Sequence, residues 1–330
     1  MSAAAARGLP RGSTATSRAS SRSTVPATRA IWPLTRGITA TRRAAASPDA
    51  APSSTPVSLP TTPEAQVALA ADAVVAAWRE GWTRQSVQLE LPLIGASDLD
   101  DWPGGIRQQF KAARPLVEEL LRRVRSADPL VLGGALAAEI WDDGDAVGAW
   151  VGSRAPLACV LFPTAQTLDR ARALAESQEA RGQGQQEDGS ARRPLTLIVN
   201  PQFQPDLSDY GGPFGFGRDK ALAAARSFRP SFAFTRRRVF GDDVYTLRAH
   251  PAPWRVAVVV DTRAGPGAGG GGARLLLEAP ADALAPSYSE IEAALRARPD
   301  SAVNMPIGER LRRELAWNNR SLQEGPPPPQ

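Results

Sequence analysis

The residues of this 330-residue chain best placed to hold a ligand are two side-chain amides, Asn200 and Gln202, which follow the apolar run Leu195-Thr-Leu-Ile-Val199. A short, nearly continuous apolar run reads as a strand buried on both faces of a parallel sheet. Open α/β sheets bind ligands at the carboxyl ends of such strands. Further on, Gly212-Pro-Phe-Gly-Phe-Gly217 leads into a helical segment from Arg218. Backbone amides at a helix start, with Arg218 and Lys220 beside them, suit an anion. The glycine spacing is not the dinucleotide fingerprint. Asn200, Gln202, Gly217 and Arg218 therefore form the first candidate site, for a small polar or anionic ligand. The competing reading is that the amides satisfy loop backbone and the glycines build a loop.

Other motifs offer less chemistry. In Asp101-Trp102-Pro103-Gly104-Gly105 the glycines permit close backbone approach, but Asp100 and Asp101 repel anions, so this turn ranks second. Those two aspartates are better suited to cap the helix that follows than to acid–base work. Asp142-Asp-Gly-Asp145 lacks the alternating ligands and closing Glu of a calcium loop and reads as a hydrated turn. Gly265–Gly272 lacks the Lys and Ser/Thr of a phosphate loop and reads as a hairpin insertion. His250 and Cys159 are the sole residues of their types. They fall on separate strand candidates, His250 as a turn residue beside Pro251 and Cys159 inside an apolar run. No metal site, disulfide or Cys–His pair is expected, and no cofactor is indicated.

The formal charge of +5 misleads, because residues 1–48 hold eight arginines and no acid. Without them, 31 basic residues face 34 acidic ones, a formal −3. A domain of that charge lacks the basic stripe of a nucleic-acid binder. The Ala/Ser/Thr/Arg-rich leader has the composition of an organellar transit peptide, with cleavage near Arg43–Ala46. The expected organisation is a transit peptide over 1–48, a disordered linker over 49–64, one domain over 65–322, and a disordered Pro-rich tail over 323–330. No run reaches membrane-span length.

A helix is expected from Pro63 to Trp78, with Thr62 as its cap and Val67, Ala70, Val74 and Trp78 as its apolar stripe. A strand follows at Ser86–Leu91, then a helix from Gly105 to about Arg125, kinked or restarted at Pro115. Ala135–Trp141 and Ala155–Phe162 read as strands, separated by a short helix around Val147–Trp150. Thr164 caps a helix through about Glu176. Four strands joined by short turns (Phe232–Arg238, Val244–Leu247, Trp254–Val260 and Arg274–Glu278) suggest an antiparallel extension. Helices at Tyr288–Ala297, capped by Ser287, and Ile307–Trp317 close the chain. The fold class is α/β: a mixed sheet, parallel in its N-terminal part with an antiparallel C-terminal extension, and helices packed on it.

Asp101-Trp-Pro-Gly-Gly-Ile-Arg107-Gln108-Gln109-Phe110, then Glu139-Ile-Trp-Asp142, Leu161-Phe-Pro163, Asn200-Pro-Gln202 and the Trp254 segment together resemble the DUF1995 family over about residues 65–322. Phe203 stands where plant relatives often have Trp, which keeps an aromatic. The resemblance implies a plastid protein, in the stroma or peripheral to the thylakoid. The family includes low photosystem II accumulation proteins, and its domain also ends certain plastid adenylate kinases. No nucleotide-binding loop precedes the domain in this sequence. The resemblance brings no catalytic residues. Its implied role is that of a non-catalytic accessory protein, with thylakoid or photosystem II assembly proteins as partners. The alternative is an enzyme or metabolite-binding module using a pocket at the strand ends.

Overall fold

The computed structural model describes residues 55–91, 105–184, 193–203, 217–259, 272–312 and 314–315. Helix α1 (Pro63–Arg79) starts as its sequence dictates: Thr62 Oγ1 accepts from Ala65 N at 3.1 Å and Pro63 occupies the first turn. Strand β1 (Arg84–Gln88) follows, then α2 (Gly105–Ala127). Helix α2 runs unbroken through Pro115, so there is no restart. Pro115 is exposed, which leaves its ring and the carbonyl it frees on the solvent side. Ala113, Val117, Leu120, Leu121 and Val124 form the buried stripe.

Strand β2 (Leu136–Asp142) turns into β3 (Val147–Gly152), then β4 (Leu157–Leu161), α3 (Leu168–Gly184), β5 (Leu195–Val199) and α4 (Arg218–Ser227). The short helix expected around Val147–Trp150 is instead strand β3. Asp142 Oδ1 accepts from Gly144 N at 2.9 Å and Asp145 N at 3.1 Å, reversing the chain in a tight turn. Val147–Gly152 can then pair antiparallel with β2 on one side and β4 on the other. The second half holds β6 (Arg229–Val239), β7 (Asp242–Ala249), β8 (Trp254–Val259), β9 (Ala273–Ala279) and α5 (Tyr288–Arg296). Ser287 and Glu290 form a reciprocal capping box at α5. A 3₁₀ turn at Ala302–Asn304 follows, and residues 307–312 and 314–315 are helical.

All nine strands join one sheet in the order β2-β3-β4-β5-β1-β6-β7-β8-β9. The central four, β4, β5, β1 and β6, are parallel, and both flanks are antiparallel. The mixed α/β sheet is therefore as expected, with a second antiparallel flank on the β2–β3 side. Side-chain alternation divides the core. Leu157, Cys159, Leu161, Leu195, Leu197 and Val199 meet α1 and α2 on one face, while Val160 and Ile198 meet α3 on the other. Helix α5 covers Val244, Val256 and Val258.

From Thr55 onward the expected linker belongs to the fold. Pro56 pairs with Arg274 at the outer edge of β9, where Val57 N donates to Ala273 O and Leu275 N to Thr55 O. Those bonds cover part of an edge that would otherwise invite strand addition.

Candidate functional site

Strands β1 and β5 are adjacent and parallel, yet the chain leaves them in opposite directions. After β1 it passes to α2 on one face of the sheet; after β5 it passes to α4, packed beside α3 on the other. That divergence is the topological switch point of an open α/β sheet, where a crevice forms at the strand ends. The candidate residues Asn200 and Gln202 lie there.

Asn200 holds the switch point together. It is 3% exposed, and its Oδ1 accepts from Leu89 N at 2.6 Å while its Nδ2 donates to Leu89 O at 2.9 Å. Its backbone N–H also reaches Val87 O at 2.9 Å. One side chain thus completes the ladder beyond the end of β1, which satisfies backbone groups that would otherwise be buried and unpaired. Of the two roles open for this amide, backbone satisfaction is the one its geometry performs.

Gln202 is exposed and donates to Asn200 O at 3.3 Å; its own N–H reaches Pro163 O at 2.9 Å, tying the ends of β5 and β4. Phe203 packs with Leu168, Ala221 and Ala224, which brings this turn to the first part of α4. Gly217 begins that helix with a φ of +79° and no side-chain cap, a conformation that favours glycine. Arg218 is half-buried in its first turn. Phe203 thus sets the Asn200–Gln202 turn against α4, the helix that Gly217 and Arg218 open.

Two non-glycine residues at this edge have left-handed backbone: Phe162 with φ +56° and Asn200 with φ +48°, at the ends of adjacent strands β4 and β5. Phe162 is fully buried and donates its N–H to Val199 O. Such conformations persist only where surrounding contacts enforce them.

The second candidate is split. Asp101, Trp102, Pro103 and Gly104 lie outside the described residues. Gly105 opens α2 with φ +66°. Arg107 reaches Asp143 in the β2–β3 turn at 2.6 Å, both side chains being well exposed. Gln108 and Gln109 sit on the same turn of helix, and Phe110 lies over Gly148 of β3. A methyl group on Gly148 would come within 2.7 Å of the Phe110 ring. The described end of this motif thus docks α2 onto β3. The Glu139–Trp141 motif forms another contact group: Trp141 Nε1 donates to Glu139, and Arg170 stacks on Trp141 at 4.1 Å and pairs with Glu139 at 3.2 Å.

Cys159 is wholly buried, and desolvation pushes its thiol far above the ordinary range. It behaves as a small core hydrophobe. Among the described residues no three His, Cys, Asp or Glu side chains converge as metal ligands. His250 is a turn residue, as expected, just beyond the end of β7, and its ring packs against Trp82 with centroids 4.4 Å apart, at the opposite end of the strands. Arg248 beside it is fully buried, and its inward register after Val244 and Thr246 was the sequence signal for that.

Fold and site together define a three-layer α/β/α protein with an amide-clipped switch point. A family described as a domain of unknown function, DUF1995, matches residues 60–268, and the chain belongs to that family. The match runs from the N-terminus of α1 past β8, so β9 and α5 lie beyond it. No curated protein and no solved structure matches the chain significantly.

Proposed function

We propose that this protein is a non-catalytic chloroplast accessory protein that holds a protein partner, assisting photosystem II accumulation or assembly from the stroma or the thylakoid surface. The observation that carries the binding role is an exposed apolar stripe without an apolar partner among the described residues. Ile307, Leu311 and Leu315 recur every four residues on one helical face and are 73%, 61% and 56% exposed. The helix is anchored by the flank beside that stripe, through Glu314 to Arg238 at 3.0 Å and through Arg310 over the Phe240 ring. A fixed helix presenting leucine-type anchors outward suits a partner with a complementary apolar groove. The Arg-rich, acid-free leader supports the plastid reading. The photosystem II role follows the resemblance to low photosystem II accumulation proteins. The test is photosystem II content in a strain lacking the protein. Depletion restored by the wild-type gene supports the role; unchanged content and assembly overturn it.

A second reading, a metabolite-binding regulatory module or enzyme at the strand ends, is favoured by the left-handed Phe162 and Asn200 at the switch point. A metabolite retained in native mass spectrometry, and lost in an Arg218→Ala variant, would promote it over the first.

A further inference from the structure

A second polar cluster lies at the amino edge of the central strands, away from the switch point. Arg229 opens β6, while Arg248 lies near the end of β7 and His250 just beyond it. The half-buried arginines of this sheet hold carboxylates: Arg84 binds Glu179, Arg236 binds Asp243, and Arg238 binds Asp243 and Glu314; beyond α5 the buried Arg298 binds Asp300. Arg248 holds none among the described residues. Its side chain is 0% exposed, one terminal nitrogen donates to Ala252 O, and its Nε is buried without a partner. The Trp254 ring lies 5.9 Å from the guanidinium carbon.

Arg229 also lacks a carboxylate among the described residues. Its guanidinium lies 3.4 Å over the Trp82 ring, and Trp82 in turn meets the His250 ring. His250 is 9% exposed, with Nδ1 buried and unbonded. Its Nε2 is 3.0 Å from Glu80 Oε2, at ion-pair distance but out of line for a hydrogen bond. Glu80 is the one acid that these contacts bring to the cluster, and it lies beside the histidine. Burial, and after it the nearby charge of Arg229, pushes the Arg248 guanidinium below its ordinary proton affinity. An arginine cannot escape that cost by shedding its proton. An unpaired buried charge is costly, and a bound counter-charge removes the cost.

We propose that Arg229 and Arg248, flanked by His250 and Trp82, form a binding site for a small oxyanion, a phosphate or a carboxylate. A planar guanidinium with a free Nε–H matches the paired oxygens of either group. The stacked Arg229 supplies the second cation from the solvent side.

The test uses the purified full chain, titrated with inorganic phosphate and, separately, with acetate against chloride at matched ionic strength. Calorimetry gives the affinity and thermal unfolding gives the linked stabilisation. One of the two anions should bind saturably and raise the melting temperature above the chloride control, and which one does so identifies the ligand group. Arg248→Met should weaken binding by about tenfold or more, and Arg229→Ala severalfold, as expected for losing a hydrogen bond to a charged group. In chloride alone, Arg248→Met should be as stable as wild type or more so, because an uncompensated buried charge has gone. No saturable effect of either anion on the wild type would overturn the site, as would wild-type affinity in Arg229→Ala. If Arg248→Met fails to fold, the Arg229→Ala titration decides, since that side chain is exposed and its loss spares the core.

Discussion

Replacing Asn200 with alanine should be among the most destabilising single changes in this protein. The change removes the acceptor of the 2.6 Å bond from Leu89 N and the donor of the 2.9 Å bond to Leu89 O. Leu89 is 2% exposed, so water does not readily replace either partner. Two buried backbone groups left unsatisfied at about 1–3 kcal/mol each, plus about 1 kcal/mol for alanine at a φ of +48°, give a loss of about 3–7 kcal/mol. That is a large fraction of the roughly 5–15 kcal/mol by which domains are stable. Urea unfolding of wild type, Asn200→Ala, Asn200→Gly and Gln202→Ala measures it. Asn200→Gly tolerates the backbone conformation and loses only the bonds, so it should fall between wild type and Asn200→Ala. Gln202→Ala, exposed and holding one 3.3 Å bond, should change stability by less than about 0.5 kcal/mol. An Asn200→Ala variant within about 1 kcal/mol of wild type would refute the clip and return Asn200 to the list of ligand contacts.

Four further outcomes follow from the same contacts. Arg84, bonded to Glu179 through two 2.7 Å contacts, holds that carboxyl below its ordinary value. The stability this pair contributes is therefore full above about pH 4.3, the unfolded value, and is lost as pH falls through the depressed folded one. The stability gap between wild type and Glu179→Gln should shrink accordingly in acid, on a scale of about 1 kcal/mol for a partly exposed pair. The Cys159 thiol should resist a thiol reagent in the native protein and react only as fast as the chain unfolds. A chain beginning at residue 58 should lose about 1–2 kcal/mol relative to one beginning at residue 50, because the Thr55 and Val57 bonds to β9 go with it. Residues 1–65 fused to a fluorescent protein should direct it to chloroplasts; a cytosolic or purely mitochondrial signal would contradict the plastid reading.

What could be read from sequence was local. Thr62 and Ser287 caps, the apolar stripes of α1 and α2, and the fully buried β5 depend on neighbours a few residues away, and they formed as expected. Strand β3 was missed because Gly148 and Gly152 dilute its pattern and because its role is set at long range. Gly148 is small to admit Phe110, from a helix nearly forty residues earlier. Asn200 was found but its task was not. An amide that serves a ligand and one that serves Leu89 look alike until β1 and β5 are known to be neighbours. Arg248 was hidden by its type, since an arginine at a strand end reads as solvated unless its inward register after Val244 and Thr246 is followed.

The partner-binding role is tested most directly at Leu311. A photo-crosslinking amino acid placed there, in the full-length protein expressed in its own host, reports what covers the exposed stripe. The same probe at Glu309, on the opposite side of the helix, is the control. The proposed function requires adducts with photosystem II or its assembly proteins at position 311 and not at position 309. Adducts absent from both positions, or the same at both, would contradict it.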